Sequence, residues 1–115
     1  MFDFENLEVY KKAKFFNKSV SEILDDNKID KVSYNQLRRA SFSIMLNIAE
    51  GSGRYTNPDK RRFYVIARGS AFECAAIFDY LRDLNFIEEK KFQLFYISLE
   101  EISKMLFALI RKLEK

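Results

Sequence analysis

Apolar residues recur along this chain with the period of an α-helix, and nowhere with the period of a strand. Leu7, Tyr10, Phe16, Val20, Ile23 and Leu24 share one helical face, with Lys11, Lys12, Lys14 and Lys18 mostly off it. This predicts a first helix from about Asn6 to Asp25. The polar run DDNKIDK leads to a second helix starting near Ser33. There Ser33 and Gln36 read as a capping box, and Gly51 reads as a left-handed stop. After the loop GSGRYTN, Asn57 caps a third helix, Pro58 takes its first position, and Asp59 suits the positive end of its dipole. That helix persists to about Leu84, with Asn85 as its C-cap.

A fourth helix spans about Glu88 to Glu114. Its stripe is Phe92, Phe95, Leu99, Ile102, Leu106, Leu109 and Leu113, with Glu88 and Glu89 at its start and Arg111, Lys112 and Lys115 at its end. Connections this short make neighbouring helices antiparallel. The expected fold is all-α: one domain, residues 1–115, folded as an antiparallel up-down-up-down four-helix bundle.

The two inner helices break the amphipathic rule. No charge occurs from Ala40 to Ala49, and Glu73 is the sole charge from Gly69 to Phe78. A helix of a lone bundle shows one face to water, so Phe42, Met45, Leu46, Phe72, Ala75 and Ala76 are in excess. They predict a subunit interface, and hence an oligomer.

Composition narrows the class. The chain has 115 residues, 48% hydrophobic and 32% charged, with three glycines and one proline, the balance of a globular domain with long elements. Its uncharged stretches fall short of the ~20 apolar residues that span a bilayer, so no membrane is expected. MFDFENLEVYKK lacks the basic and apolar regions of a signal peptide, and the single Cys74 cannot form an internal disulfide; both point to the cytoplasm.

The net charge of +3 is unevenly spread. Residues 1–30 are net −2, residues 71–115 net −1, and residues 31–70 net +6. Most of the cations in that middle stretch are arginines, the better fork for phosphate. Arg54, Lys60, Arg61 and Arg62 lead it, with Arg38, Arg39 and Arg68 behind, and Tyr55 and Tyr64 interleaved as rings able to stack on bases. Cations at a helix N-terminus are unfavourable, and an anionic partner relieves them. The bland alternative is a solvated face with local ion pairs, such as Asp59 with Arg62 or Arg62 with Glu50. A ring of subunits repeats the patch and sums its field, which brings the two alternatives level.

Ser43, Asn47 and Glu50 share one face of the second helix, and Ser70 and Glu73 one face of the third. Across an antiparallel pair the two lines can meet. A di-metal site is the sharp reading of two such carboxylates. It needs four carboxylates and two histidines, and the chain has no histidine, so no metal or cofactor is expected. No nucleophile or base accompanies the pair, so no catalytic residue is assigned. The line is read as a hydrogen-bonded seam that sets helix register. Cys74, on an apolar helix, is read as a small core residue. GSGR lacks the ending of a Walker loop.

The stretch SFSIMLNIAEGSGRYTNPDKRRFYVIARGSAFE resembles the 23S rRNA intervening sequence proteins, through S-I-x-x-N-I-A-E-G-S-G-R and R-F-x-x-I-A-R-G-S-x-x-E. FENLEVYKKA and QLRRA fit the same family, so the resemblance covers nearly the whole chain. Met45 departs from it where the family often has proline, which implies a straighter second helix. The resemblance implies a four-helix bundle assembled as a ring-like homopentamer, with no enzymatic activity attached. The accessory variability protein of diversity-generating retroelements is similar, and it implies a basic barrel that binds nucleic acid and a reverse transcriptase. The expected function is therefore non-enzymatic, oligomeric binding of RNA or DNA through phosphate contacts. The alternative is a scaffold that docks a protein such as a polymerase or reverse transcriptase.

Overall fold

Each of the four periodic segments is an α-helix in the computed structural model, which describes residues 1–24 and 28–114. After a 3-10 turn at Asp3–Asn6 come α1 (Glu8–Leu24), α2 (Lys31–Ser52), α3 (Asn57–Asp83) and α4 (Glu89–Leu113). No strand occurs among the described residues. The expected end of the first helix at Asp25, the side chain of Leu24, the first three residues of the DDNKIDK connection and Lys115 lie outside them.

The helices pack as a bundle in cyclic order. α1 touches α2, α2 touches α3, α3 touches α4, and α4 returns to α1; among the described residues the diagonal pairs make no close backbone approach, and α1 and α3 meet through side chains at the centre. The α2–α3 interface is the most extensive and α1–α4 the least. Contacts between α2 and α3 run in opposite chain order, with Gly51 against Tyr64, Ser43 against Ser70 and Arg39 against Glu73.

At the centre, Phe16, Phe78 and Phe95 meet from three helices. The Phe78 and Phe95 rings stack 4.7 Å apart at 10°, and Phe16 meets both edge-on at 6.2 and 5.8 Å. These are the geometries that aromatic quadrupoles favour. The α1 stripe turns slightly from its predicted face: Val9, Ala13, Phe16 and Val20 are buried, whereas Leu7, Tyr10 and Ile23 lie at its margin. On α4, Ile110 is buried beside the predicted stripe, and Leu109 and Leu113 are marginal.

Polar groups also tie helices together. The Ser41 hydroxyl, fully buried, donates to Asn17 Oδ1 at 2.8 Å, and Arg38 donates to Ser21, both between α2 and α1. Lys12 and Glu101 pair at 3.2 Å between α1 and α4.

Four predicted helix ends are corrected. The cap of α2 is Asp30, not Ser33: its carboxylate accepts the Ser33 backbone N–H at 2.8 Å and the Ser33 hydroxyl at 2.9 Å. Those two bonds hold the Asp30 carboxyl below the usual carboxylate range. The cap of α3 is Thr56, whose hydroxyl accepts the Asp59 N–H at 3.3 Å, so Asn57 is already helical. Gly51 is no left-handed stop. It lies inside α2, and the end at Gly53 has φ −91°.

Asn85, expected to cap the end of α3, is instead the left-handed residue, with φ 63°, just past the cap Leu84. The Phe86 N–H reaches Leu81 O at 2.9 Å and the Asn85 N–H reaches Arg82 O at 2.9 Å, so the last turn's carbonyls are satisfied by the backbone itself.

Cys74 is buried, as expected. Burial, and secondarily the charge of Glu73, push its thiol up to about 12, which keeps it protonated and unreactive at neutral pH.

Candidate nucleic-acid interface

The turn between α2 and α3 is four residues, Gly53 to Thr56. It gathers the four leading cations at one end of the bundle. Arg54 reaches Glu50 at 3.2 Å and Asp59 at 3.7 Å. Arg62 donates twice to Asp59 Oδ1, at 3.2 and 2.9 Å. The two guanidinium carbons lie 4.5 and 4.4 Å from the centre of the Phe63 ring, so one aromatic ring and one carboxylate hold both. Arg61 pairs with Glu114, just past the end of α4, at 3.8 Å.

Lys60 sits on the first turn of α3, yet its ammonium donates to Ser52 O at 2.9 Å, at the C-terminal end of α2. Its charge therefore meets the negative end of a neighbouring dipole rather than the positive end of its own helix. The unfavourable placement expected from the sequence is relieved within the fold. Of the two ion pairs foreseen, Asp59 with Arg62 forms, whereas Glu50 takes Arg54 rather than Arg62.

The second group of arginines does not join this end. Arg38 donates to Ser21 of α1. Arg39 binds Gln36 at 2.8 Å and Glu73 at 3.3 Å. Arg68 donates to Ser103 O at 3.3 Å in the groove between α3 and α4, beside the rings of Phe72 and Phe107. The seven cations thus form one cluster and three separate ties between helices.

The two tyrosines part company. Tyr55 is fully exposed at 100%, but Tyr64 is only 5% exposed and packs against Gly51, so it offers no face to a base. Burial raises its phenol above the ordinary tyrosine value.

The polar line resolves into a shorter seam. Ser43 and Ser70 hydroxyls meet at 3.0 Å, and the Asn47 amide donates to the Ser43 hydroxyl and carbonyl, both at 2.9 Å. Glu50 and Glu73 stand apart from it, each in its own ion pair. Arg39, the partner of Glu73, lies eleven residues, or ~16 Å, before Glu50 along α2. Among the described residues no three histidine, cysteine or carboxylate side chains are grouped to hold a metal ion, and no helix is long and apolar enough to cross a membrane.

Against known proteins, the family model described as 23S rRNA-intervening sequence protein matches residues 5–108. No curated protein matches the chain. Among solved structures, one similar chain is a protein with unknown function from the S23 ribosomal protein family of Bacteroides thetaiotaomicron VPI-5482. It superposes with a TM-score of 0.84 at 23% identity, over 89% of this chain and 97% of that one, a likeness of fold.

Proposed function

The chain belongs to the 23S rRNA-intervening sequence protein family, and we propose that it serves as a non-enzymatic homo-oligomer that binds RNA or DNA by its phosphates. In this reading the helices run antiparallel in sequence, and the assembly is a pentamer in the cytoplasm. The opposed order of α2–α3 contacts supports the first point. The outward surface along the middle of α2 and α3, apolar but for the Arg39–Glu73 pair and Arg68, supports the assembly, with Phe42 at 48% and Phe72 at 57% exposure.

The observation that carries nucleic-acid binding is the cluster at the α2–α3 turn. Arg54, Lys60, Arg61 and Arg62 face Glu50, Asp59 and Glu114, and Lys60 is held by a carbonyl rather than a carboxylate. Exposed ion pairs are worth about 0–1 kcal/mol. A phosphate that takes a guanidinium by its bidentate edge displaces such a partner at little cost, and the fixed arginines lose little freedom on binding. Each chain keeps a small positive surplus at this end, which a ring repeats.

The test is fluorescence anisotropy with a labelled structured RNA and a matched DNA duplex, at low and physiological salt. Wild type is expected to bind at micromolar concentration or tighter. Arg61→Ala/Arg62→Ala should weaken binding at least about tenfold and make the log–log salt slope shallower by about 1.8 on duplex DNA. Absence of binding at low salt sinks the proposal. It moves the assignment to a protein-docking scaffold, the reading that the exposed apolar residues of α2 and α3 favour.

A further inference from the structure

We propose that the solvent face of α1, with the 3-10 turn before it, is a second binding surface, for single-stranded RNA or DNA held by base stacking. It goes beyond the reading above and does not rest on it, because it involves neither the α2–α3 turn nor any cation named there. An open trough of about 720 Å³ lies between the turn and the helix, floored by aromatic rings and edged by lysines. Phe2 and Phe15 are 72% and 70% exposed, and each presents a ring. The Phe2 ring is held in place: it stacks on Phe4 at 5.7 Å and 19°, and Phe4 rests on Tyr10 at 4.7 Å. The Phe2 N–H donates to Glu5 Oε2 at 2.7 Å, which pins the turn.

Lys11, Lys14 and Lys18 line the trough at spacings of three and four residues, so their Cα atoms cover about 10 Å of one helix face. Lys11 pairs with Glu8 at 3.3 Å. Lys14 and Lys18 enter no ion pair among the described residues. Glu5 is the one carboxylate in the lining, and it is engaged by the Phe2 N–H, so the trough keeps a surplus of positive charge.

This arrangement fits a single strand better than its competitors. A duplex hides its bases and offers no ring to stack upon. An anionic membrane also attracts lysines and aromatics, but it requires an apolar face kept apart from the charges. Here Phe15 sits among the lysines, and burying it in lipid drags Lys14 and Lys18 with it. A strand with unstacked bases needs what the trough supplies: ring faces for bases and ammonium groups for phosphates along one line.

The experiment is anisotropy on the intact protein with a labelled oligouridylate, an oligothymidylate and a DNA duplex of equal length, with phosphatidylserine/phosphatidylcholine vesicles in a parallel arm. Phe15→Leu keeps apolar bulk and removes the π face. It should weaken single-strand binding about five- to hundredfold, the range of one lost stacking contact, and leave duplex binding unchanged. Phe15→Trp should restore or strengthen it. Lys14→Ala/Lys18→Ala should make the single-strand salt slope shallower by about 1.4. The proposal is overturned by absent single-strand binding, by binding insensitive to Phe15→Leu, or by vesicle binding in its place. Duplex binding lost only in Arg61→Ala/Arg62→Ala reports on the α2–α3 turn, so the two surfaces can fail separately.

Discussion

Phe78→Ala should destabilise the protein by about 3–5 kcal/mol, read as a fall in the urea midpoint at constant slope. Phe78 is 1% exposed and in ring contact with Phe16 and Phe95, so its removal takes one aromatic from a cluster that joins α1, α3 and α4. The cavity left cannot collapse without moving two other buried rings, which places the cost towards the upper end of the range. A loss under about 1 kcal/mol shows that the cluster is not packed as described. Phe15→Ala, the same change on an exposed ring, should stay within about 0.5 kcal/mol. Protein concentration must be held constant, because self-association adds to apparent stability.

Opposite signs are expected at two helical glycines. A Cβ added at Gly51 meets Tyr64 Cε1 at 2.9 Å and Phe63 Cβ at 3.1 Å, so α2 and α3 must separate to admit it. Gly51→Ala should therefore cost about 1–3 kcal/mol, since the strain outweighs the gain in helix propensity. At Gly69 nothing lies within 4 Å of such a Cβ, and Gly69→Ala should stabilise α3 by about 0.5–1 kcal/mol. Thermal unfolding of both variants reads the contrast. A stabilising Gly51→Ala refutes the close approach. Such a result makes that glycine merely a weak helix former.

The helices were legible because their signal is a period repeated over many turns. α3 and α4 end within one residue of the expected bounds, and the central polar contact of Ser43 with Ser70 follows from two faces and a short turn. What eluded sequence reasoning was the choice between equivalent local signals. Asp30 stands three residues before Ser33 as Ser33 stands before Gln36, and Thr56 adjoins Asn57; each could cap. Only the chain's approach to the helix selects one. Gly51 was misread for a related reason: a glycine near a helix end signals a stop, whereas here its missing side chain admits Tyr64.

The basic stretch was legible as charge but not as a surface. Its neutralising partners Glu73 and Glu114 come from other helices, and Lys60 is turned to a carbonyl of its neighbour. Arg38, Arg39 and Arg68 share a sequence segment with the cluster but leave their helices in other directions. Nothing in the spacing of lysines on α1 flagged the trough, because two of its four rings, Phe2 and Phe4, come from the 3-10 turn and the residue before it, which the helical pattern does not cover.

The Ser43–Asn47–Ser70 seam has a consequence for how this sequence can drift. Removing one member strands its neighbours at about 1–3 kcal/mol, whereas replacing all of them with apolar groups of matching shape is nearly neutral. Single substitutions thus face a barrier that joint substitution avoids. A double-mutant cycle on Ser43 and Ser70 should return a coupling of about 0.5–3 kcal/mol, and additive effects refute the linkage. Mutational paths across these three positions are then expected to be correlated.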